Sequence, residues 1–278
     1  MNGGPAKLPD PIEAARPAVF AASRFVEQAV LREPGLLAGL DSSGELGRPR
    51  TPGEIGTLAG AIPEGDEAAF MDSLRRLRNR ELVRIAWRDL TGAASLAETL
   101  AETSALADAA IAAALAFANR ALAPRYGVPR SAAGEAQELL VIGMGKLGGR
   151  ELNFSSDVDL VFLFPEGGET DGTRSVANED YFTRLGQTLI RLLDARTPEG
   201  FVYRVDMRLR PLGDPGPLAM NFAAFEDYLQ QHGRDWERYA WIKARAVTGS
   251  GRYRGLYDDV VRPFVYRRYL DFGVYESL

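Results

Sequence analysis

From Leu139 to Phe164 the chain admits few folds. Leu139-Leu140-Val141-Ile142 is a short apolar run that stops in glycines, Gly143-Met144-Gly145-Lys146-Leu147-Gly148-Gly149. Asp157 to Phe164 (DVDLVFLF) is a second apolar run headed by two acids. Runs this short, bounded by turn residues, predict two buried strands. The glycines contain G-x-G-x-x-G, the pattern of a dinucleotide-binding crossover, but that unit needs a full helix before its second strand. Here the second strand opens too soon after Gly149, and its acids stand at its start. The segment is read instead as a strand, a tight turn whose backbone N–H groups at Gly143 and Gly145 can approach a phosphate, and a short helix carrying Lys146.

What precedes this segment reads as helix. Residues 11–33 place Ala18, Val19, Ala22, Phe25, Val26 and Val30 at helical spacing, stopped by Pro34-Gly35. Residues 41–53 are a Gly/Pro/Ser loop. Asp66 is a cap for a helix over 67–90, whose Phe70, Leu74, Leu77 and Ile85 share one face. Its Arg75, Arg76, Arg78, Arg80 and Arg84 are expected as a solvated basic face. Residues 95–122 are Ala-rich and helical by propensity. The expected organisation is a helical segment 1–125, a linker 126–138, a catalytic core 139–220 and a C-terminal helical region 221–278. In the core, 165–177 is a polar loop with solvated Glu166, Glu169 and Asp171. Residues 179–194 form an amphipathic helix and 201–210 (FVYRVDMRLR) alternate as a third strand; 222–248 are helical. This is an α+β class: helices, then a short mixed sheet with flanking helices. The chain reaches Leu278 without a helix stop, which suggests a piece of a longer protein.

The chemistry is narrowed by what is scarce. With no cysteine and one histidine, His232, a Cys nucleophile, a disulfide framework, a Cys-rich zinc site and a two-His metal site are all excluded. His232, near a helix end, is given no catalytic role. Any catalysis must use carboxylates, Lys/Arg, hydroxyls, backbone amides or a hard metal held by oxygen. A net charge of −5 disfavours nonspecific nucleic-acid binding. The N-terminal stretch shows no signal peptide, and the longest apolar run, Ala109–Ala118, is too short for a membrane span. A cytoplasmic protein is expected.

Asp157 and Asp159, two residues apart in a strand, point to one side of it. Two such carboxylates repel unless a cation lies between them, and Mg²⁺ suits that arrangement. Asp206 adds a third acid, on the same expected strand face as Arg208 and Arg210, which suggests a metal ligand beside a phosphate clamp. Ser155 and Ser156 precede the acids and either orient them or form a plain strand-entry turn. Arg234, Arg238, Trp241 and Arg245 fall on one helical face and suit either a substrate or packing through Trp241.

A strand, a Gly turn and a Ser-Asp-x-Asp-apolar strand resemble the polymerase-β-like nucleotidyltransferase superfamily. The longer strings VIGMGKLGGRELNFSSDVDLVFLF (141–164), GFVYRVDMRLRPLGDPGPL (200–218) and GRDWERYAWIKARAV (233–247) closely resemble the glutamine synthetase adenylyltransferase family, whose members carry two similar catalytic halves. The wording Asn153-Phe154-Ser155-Ser156, Val205-Asp206-Met207 and Asp235-Trp236-Glu237-Arg238 is closer to the adenylyl-removing half, and nearness to a start Met agrees. The resemblance implies phosphorolysis: inorganic phosphate attacks a tyrosine-AMP ester of glutamine synthetase and ADP leaves. Asp157, Asp159 and Asp206 would hold Mg²⁺, while Gly143, Gly145, Lys146, Ser155, Ser156, Arg208 and Arg210 would bind nucleotide or phosphate. It also implies signalling by PII proteins. Two other readings stay open: the adenylyl-transferring half, using ATP, and a catalytically incomplete scaffold that binds glutamine synthetase.

Overall fold

The computed structural model describes residues 11–63 and 65–266; the N-terminal ten residues and the stretch from 267 to Leu278, on which the signal-peptide and fragment expectations bear, lie outside them. Six helices come first: α1 (Pro11–Ala22), α2 (Arg24–Arg32), α3 (Leu36–Ser42), α4 (Pro52–Gly60), α5 (Glu67–Leu90) and α6 (Leu96–Tyr126). The single helix expected over 11–33 is broken at Ser23. Its backbone is extended there, and its hydroxyl accepts from the Val26 N–H at 3.3 Å, which restarts the helix as a new N-cap. Residues 41–53 are not all loop: Thr51 and Glu54 form a reciprocal capping box that starts α4 at Pro52. Asp66 caps α5 as expected, accepting from the Ala69 N–H at 2.8 Å.

The basic face of α5 is solvated only in part: Arg76 is exposed as expected, but the others are drawn inward to different degrees. Arg75 and Arg84 are fully buried. Arg75 donates to the carbonyls of Met71, Ala195 and Gly200, pinning α5 to the turn that follows a later helix. Arg84 lies between Glu81 (2.9 Å) and Glu102 of α6 (2.6 Å). Arg78 faces the rings of Phe25, Phe201 and Tyr203. Helical spacing predicts which residues share a face; here tertiary partners cover Arg75, Arg78 and Arg84 on that face.

α6 is the central post, packed on α4, α5 and α8 below. It runs past the expected end at residue 122, carrying Pro124 in its last turn and stopping at Gly127, whose φ of 74° suits glycine. It is the one described helix long and apolar enough to cross a membrane, and 67% of that apolar window is buried inside the protein, which accounts for its composition as a core helix. The stretch 126–138, expected as a linker, carries β1 (Pro129–Ser131), a buried-edge strand that pairs with β4 below.

The core sheet is built by β2 (Leu140–Gly143), a one-turn helix α7 (Gly145–Gly148), β3 (Val158–Phe164), β4 (Gly168–Thr170), α8 (Asn178–Asp194), β5 (Val205–Asp206), β6 (Ala219–Asn221), α9 (Phe222–Gln231), α10 (Asp235–Ile242) and β7 (Arg245–Ala246). A helix α11 (Ser250–Leu256), a wide turn over Tyr257–Val261 and α12 (Arg262–Val265) follow. β2 is antiparallel to β3 and to β7. β5 and β6 pair parallel with the two ends of β3. The result is the expected α+β class, a small mixed sheet with flanking helices. Leu139, Val141, Leu160, Phe162 and Phe164 face α6 and α8. Leu140, Ile142, Val161 and Leu163 face the layer of α9 to α12. Burial on both faces is why these strands read as unbroken apolar runs.

Three further expectations change. The loop after β3 carries β4 and is tied down, although Glu166, Glu169 and Asp171 are exposed as expected: Asp171 accepts from the Val128 N–H at 2.7 Å and pairs with Arg130, interactions that lower its carboxyl from the ordinary value. The strand expected over 201–210 shrinks to Val205–Asp206, because the chain turns at Met207 and the Arg210 N–H bonds the Met207 carbonyl. Residues 222–248 are two helices, and their last residues are β7, which completes the sheet beside β2.

Candidate functional site

The acids meet through strand register. Parallel pairing of β3 with β5 sets Asp159 beside Asp206 and Val158 beside Val205. In β3, Asp159 has the parity of Val161 and Leu163, so both acids lie on the α9–α10 side of the sheet. Asp157 stands one residue before β3 and is exposed. The three charges act on one another: burial first, then Asp206 and Asp157, raise the Asp159 carboxyl above its ordinary value, with Arg208 and Lys146 opposing.

Two of the acids already have partners. Arg208 grips Asp206 with its backbone N–H (2.8 Å) and with Nε and Nη2 of its guanidinium. That grip pulls the Asp206 carboxyl below the carboxylate range and raises the Arg208 guanidinium. Arg204 holds Asp157 through Nε and the Ser155 carbonyl through Nη2 at 2.9 Å. Among the described residues no group of three acids or histidines stands ready to hold a metal ion; two of the three carboxylates are instead paired with arginines.

The glycine turn divides its labour. The Met144 N–H donates to the Asp159 carbonyl at 2.9 Å, and Gly145 (φ 51°) brings its Cα so close that a Cβ would meet the Asp159 carboxylate at 3.1 Å. Gly145 is therefore beside the acids, in a left-handed conformation that favours glycine. Gly143 is buried between Leu147 and Val247, where its smallness serves packing. At Gly148 a Cβ would overlap the carbonyl oxygens of Lys243 and Gly143. Gly148→Ala is expected to destabilise by about 1–3 kcal/mol or more, since backbone is harder to displace than side chain; a denaturant midpoint equal to wild type would refute this close approach.

Lys146 is exposed and reaches Ser156 Oγ at 3.4 Å, while Ser156 donates to Asn153 Oδ1. Ser155 is exposed and contributes its carbonyl to Arg204. Arg210 does not share a strand face with Asp206; it donates to the carbonyls of Met207 and Asp214, both at 2.9 Å. Of the α10 set, Trp241 is buried against Phe225, and Arg238 lies over the Phe264 ring at 4.2 Å. Arg245, in β7, bonds Asp108 of α6 and the carbonyls of Leu147 and Gly148. The packing role thus accounts for Trp241, Arg238 and Arg245, and His232 is an exposed helix C-cap. Sequence reasoning missed Arg204. Its only signal was a cation in an alternating run, two residues before an acid.

The lineage is now plain from comparison. The family model of glutamate-ammonia ligase adenylyltransferase matches residues 15–255, which includes the three acids, the glycine turn and the basic residues around them. The chain is 53% identical over 262 residues to the bifunctional glutamine synthetase adenylyltransferase/adenylyl-removing enzyme of Thioalkalivibrio sulfidiphilus, covering 94% of this chain and 27% of that protein. It is 52% identical over 264 residues to the protein of the same description in Pseudomonas aeruginosa, with the same two coverages. The match to the Shewanella oneidensis protein is 54% over 206 residues, 74% of this chain and 22% of the other. The chain therefore spans about a quarter of the length of the curated relatives it matches. With acids, glycine turn and basic residues all inside the matched region, the chain belongs to the glutamate-ammonia ligase adenylyltransferase family.

Proposed function

We propose that this chain is a nucleotidyltransferase unit that removes AMP from a tyrosine of adenylylated glutamine synthetase by phosphorolysis. The observation that carries the reading is the register pairing of Asp159 with Asp206 beside Gly145 and Lys146. An oxygen of inorganic phosphate bonds to the phosphorus of the tyrosine-AMP ester. The phosphorus–tyrosine oxygen bond breaks, ADP leaves, and the tyrosine oxygen takes a proton to become the hydroxyl. No histidine or cysteine is needed, because such a transfer depends on positioning and electrostatics.

The donor chemistry suits a hard divalent cation: the acids offer only oxygen, and Asp159, raised first by burial and then by Asp206 and Asp157, lacks among the described residues a neutralising partner of its own strength. Asp159 and Asp206 would hold Mg²⁺, with Asp157 joining when Arg204 releases it. When bound, the ion would offset phosphate charge and favour the departing oxygen. Lys146 and the Gly145 turn crowd the same acids and suit the nucleotide phosphate, while Arg208 and Arg210 suit phosphate beyond Asp206. Cytoplasmic location, and PII signalling of the kind the resemblance implies, are proposed with this reading.

The test is to incubate the chain with adenylylated glutamine synthetase, phosphate and Mg²⁺ and to measure ADP. ADP release, lost in Asp157→Asn, is expected. Consumption of ATP with modification of the unmodified enzyme would replace this reading with the adenylyl-transferring one. Binding without turnover in both wild type and Asp157→Asn would leave a scaffold.

A further inference from the structure

A cavity of about 330 Å³ lies where the turn after β5 meets α9 and α10, lined by Arg208, Arg210, Leu212, Gly213, Tyr228, His232, Arg234, Trp236 and Glu237. Three guanidiniums face it and one carboxylate does, that of Glu237. Glu237 is buried and occupied: it accepts from the Tyr228 hydroxyl at 2.6 Å and from the Arg234 N–H at 2.8 Å. Arg210 keeps a buried Nε with no partner among the protein atoms. Leu212, an exposed leucine, sits at φ 64° in the rim, a conformation L side chains rarely adopt and one that marks functional turns. Trp236, 50% exposed, supplies an aromatic wall.

Arg208 is paired with Asp206 and Arg210 with the exposed Asp214 at 3.4 Å; three guanidiniums around one cavity, with an unfilled buried donor, are still the chemistry of a tetrahedral oxyanion site. One of its cations is shared: Arg208 lines this cavity and also holds Asp206. Its side chain is 79% exposed, so rotating from one partner to the other meets little packing resistance.

We infer that this cavity binds the attacking phosphate and that Arg208 is a latch, held on Asp206 until the anion draws it away and frees that carboxylate. The inference rests on the phosphorolytic reading and deepens it. The phosphate bound here becomes the outer phosphate of ADP, while the phosphorus of AMP stays by the acids. Arg234, and the rim of Leu212 and Trp236, are thereby added to the site.

Isothermal titration of the full chain with inorganic phosphate, without divalent ion, tests this. Arg234→Ala, an exposed site, is expected to weaken phosphate binding by about tenfold or more, the loss of a charge-assisted hydrogen bond. Asp206→Asn is expected to tighten phosphate binding several-fold, because the latch is released. In an Arg208→Ala background the same Asp206→Asn change should have no such effect. ADP should displace phosphate and AMP should not. Unchanged affinity in Arg234→Ala overturns the site. Equal tightening with and without Arg208 overturns the latch, leaving only the field of a lost charge. Displacement by AMP as effective as by ADP moves the cavity to the inner phosphate and overturns its assignment. Phosphate binding that obeys these rules in a chain that makes no ADP would sink the phosphorolytic reading and leave the cavity standing.

Discussion

Asp159→Asn is expected to cut ADP release by about a hundred- to a thousand-fold, the scale for deleting one preorganised electrostatic group, while the melting temperature holds or rises. The two halves of this outcome have one cause. Burial and the neighbouring charges of Asp206 and Asp157 make the ionised Asp159 carboxylate unfavourable in the folded chain. An asparagine of the same shape removes that repulsion, so folding loses nothing by the change. The site loses one of its three carboxylates, an oxygen donor that Asp206 cannot replace. A structural acid would behave in the opposite way, with melting temperature falling and turnover following it. Asp206→Ala is the companion measurement. Its ion pair with Arg208 is mostly solvent-facing on the arginine side, where such pairs contribute little, so activity should fall far more than stability. Parallel loss of folding and turnover in both variants would count against the acids as reactive-site groups.

Arg84→Ala is expected to destabilise the helical half by about 3–5 kcal/mol, because it strands buried charge. Glu81 is fully buried and Glu102 nearly so, and Arg84 sits between them without exposure. Arg50 is the second cation of the network, reaching Glu81 with Nε at 3.1 Å and Glu102 with its backbone N–H at 2.6 Å. It also pairs with Glu45, which Arg80 shares. Arg50 cannot serve two abandoned carboxylates as well as its own partner. Replacing Arg84, Glu81 and Glu102 together by Met, Leu and Leu is expected to recover most of the loss, since apolar groups of similar volume need no partners. Urea unfolding of the single and triple variants checks both statements. A single variant as stable as wild type would mean water reaches the network, and a triple variant no better than the single would show that the polar contacts themselves hold α5 to α6.

These two sites also show what could be read from residues alone. Asp157 and Asp159 were legible because the apolar run that follows them fixes the strand, and strand parity puts them on one side. The pairing of Asp159 with Asp206 was not, since register between strands separated by a whole helix is set by tertiary packing. The run Val205-Asp206-Met207-Arg208-Leu209-Arg210 alternates perfectly and still leaves the sheet at Met207, because Arg208 folds onto Asp206 and Arg210 caps a turn. Alternation reports a possible strand, not a paired one. The arginines of α5 failed for a related reason. Their partners, Glu102, Ala195 and Gly200, are distant in sequence, and no local pattern announces them. The cap at Asp66 and the apolar face of α8 were readable because both act within a few residues.

β2 has β3 on one side and β7 on the other, and β7 is made of Arg245 and Ala246. Gly143 is opposite Arg245 in that pairing, and Arg245 also holds the glycine turn and α6. During synthesis, then, β2 and β3 can zip together early, but the turn beside the acids stays unclamped until a residue about a hundred positions later has left the ribosome. The acids lie between Asp157 and Asp206, whereas the residue that holds the glycine turn beside them, Arg245, comes later, so the order of synthesis separates the making of the site from its clamping.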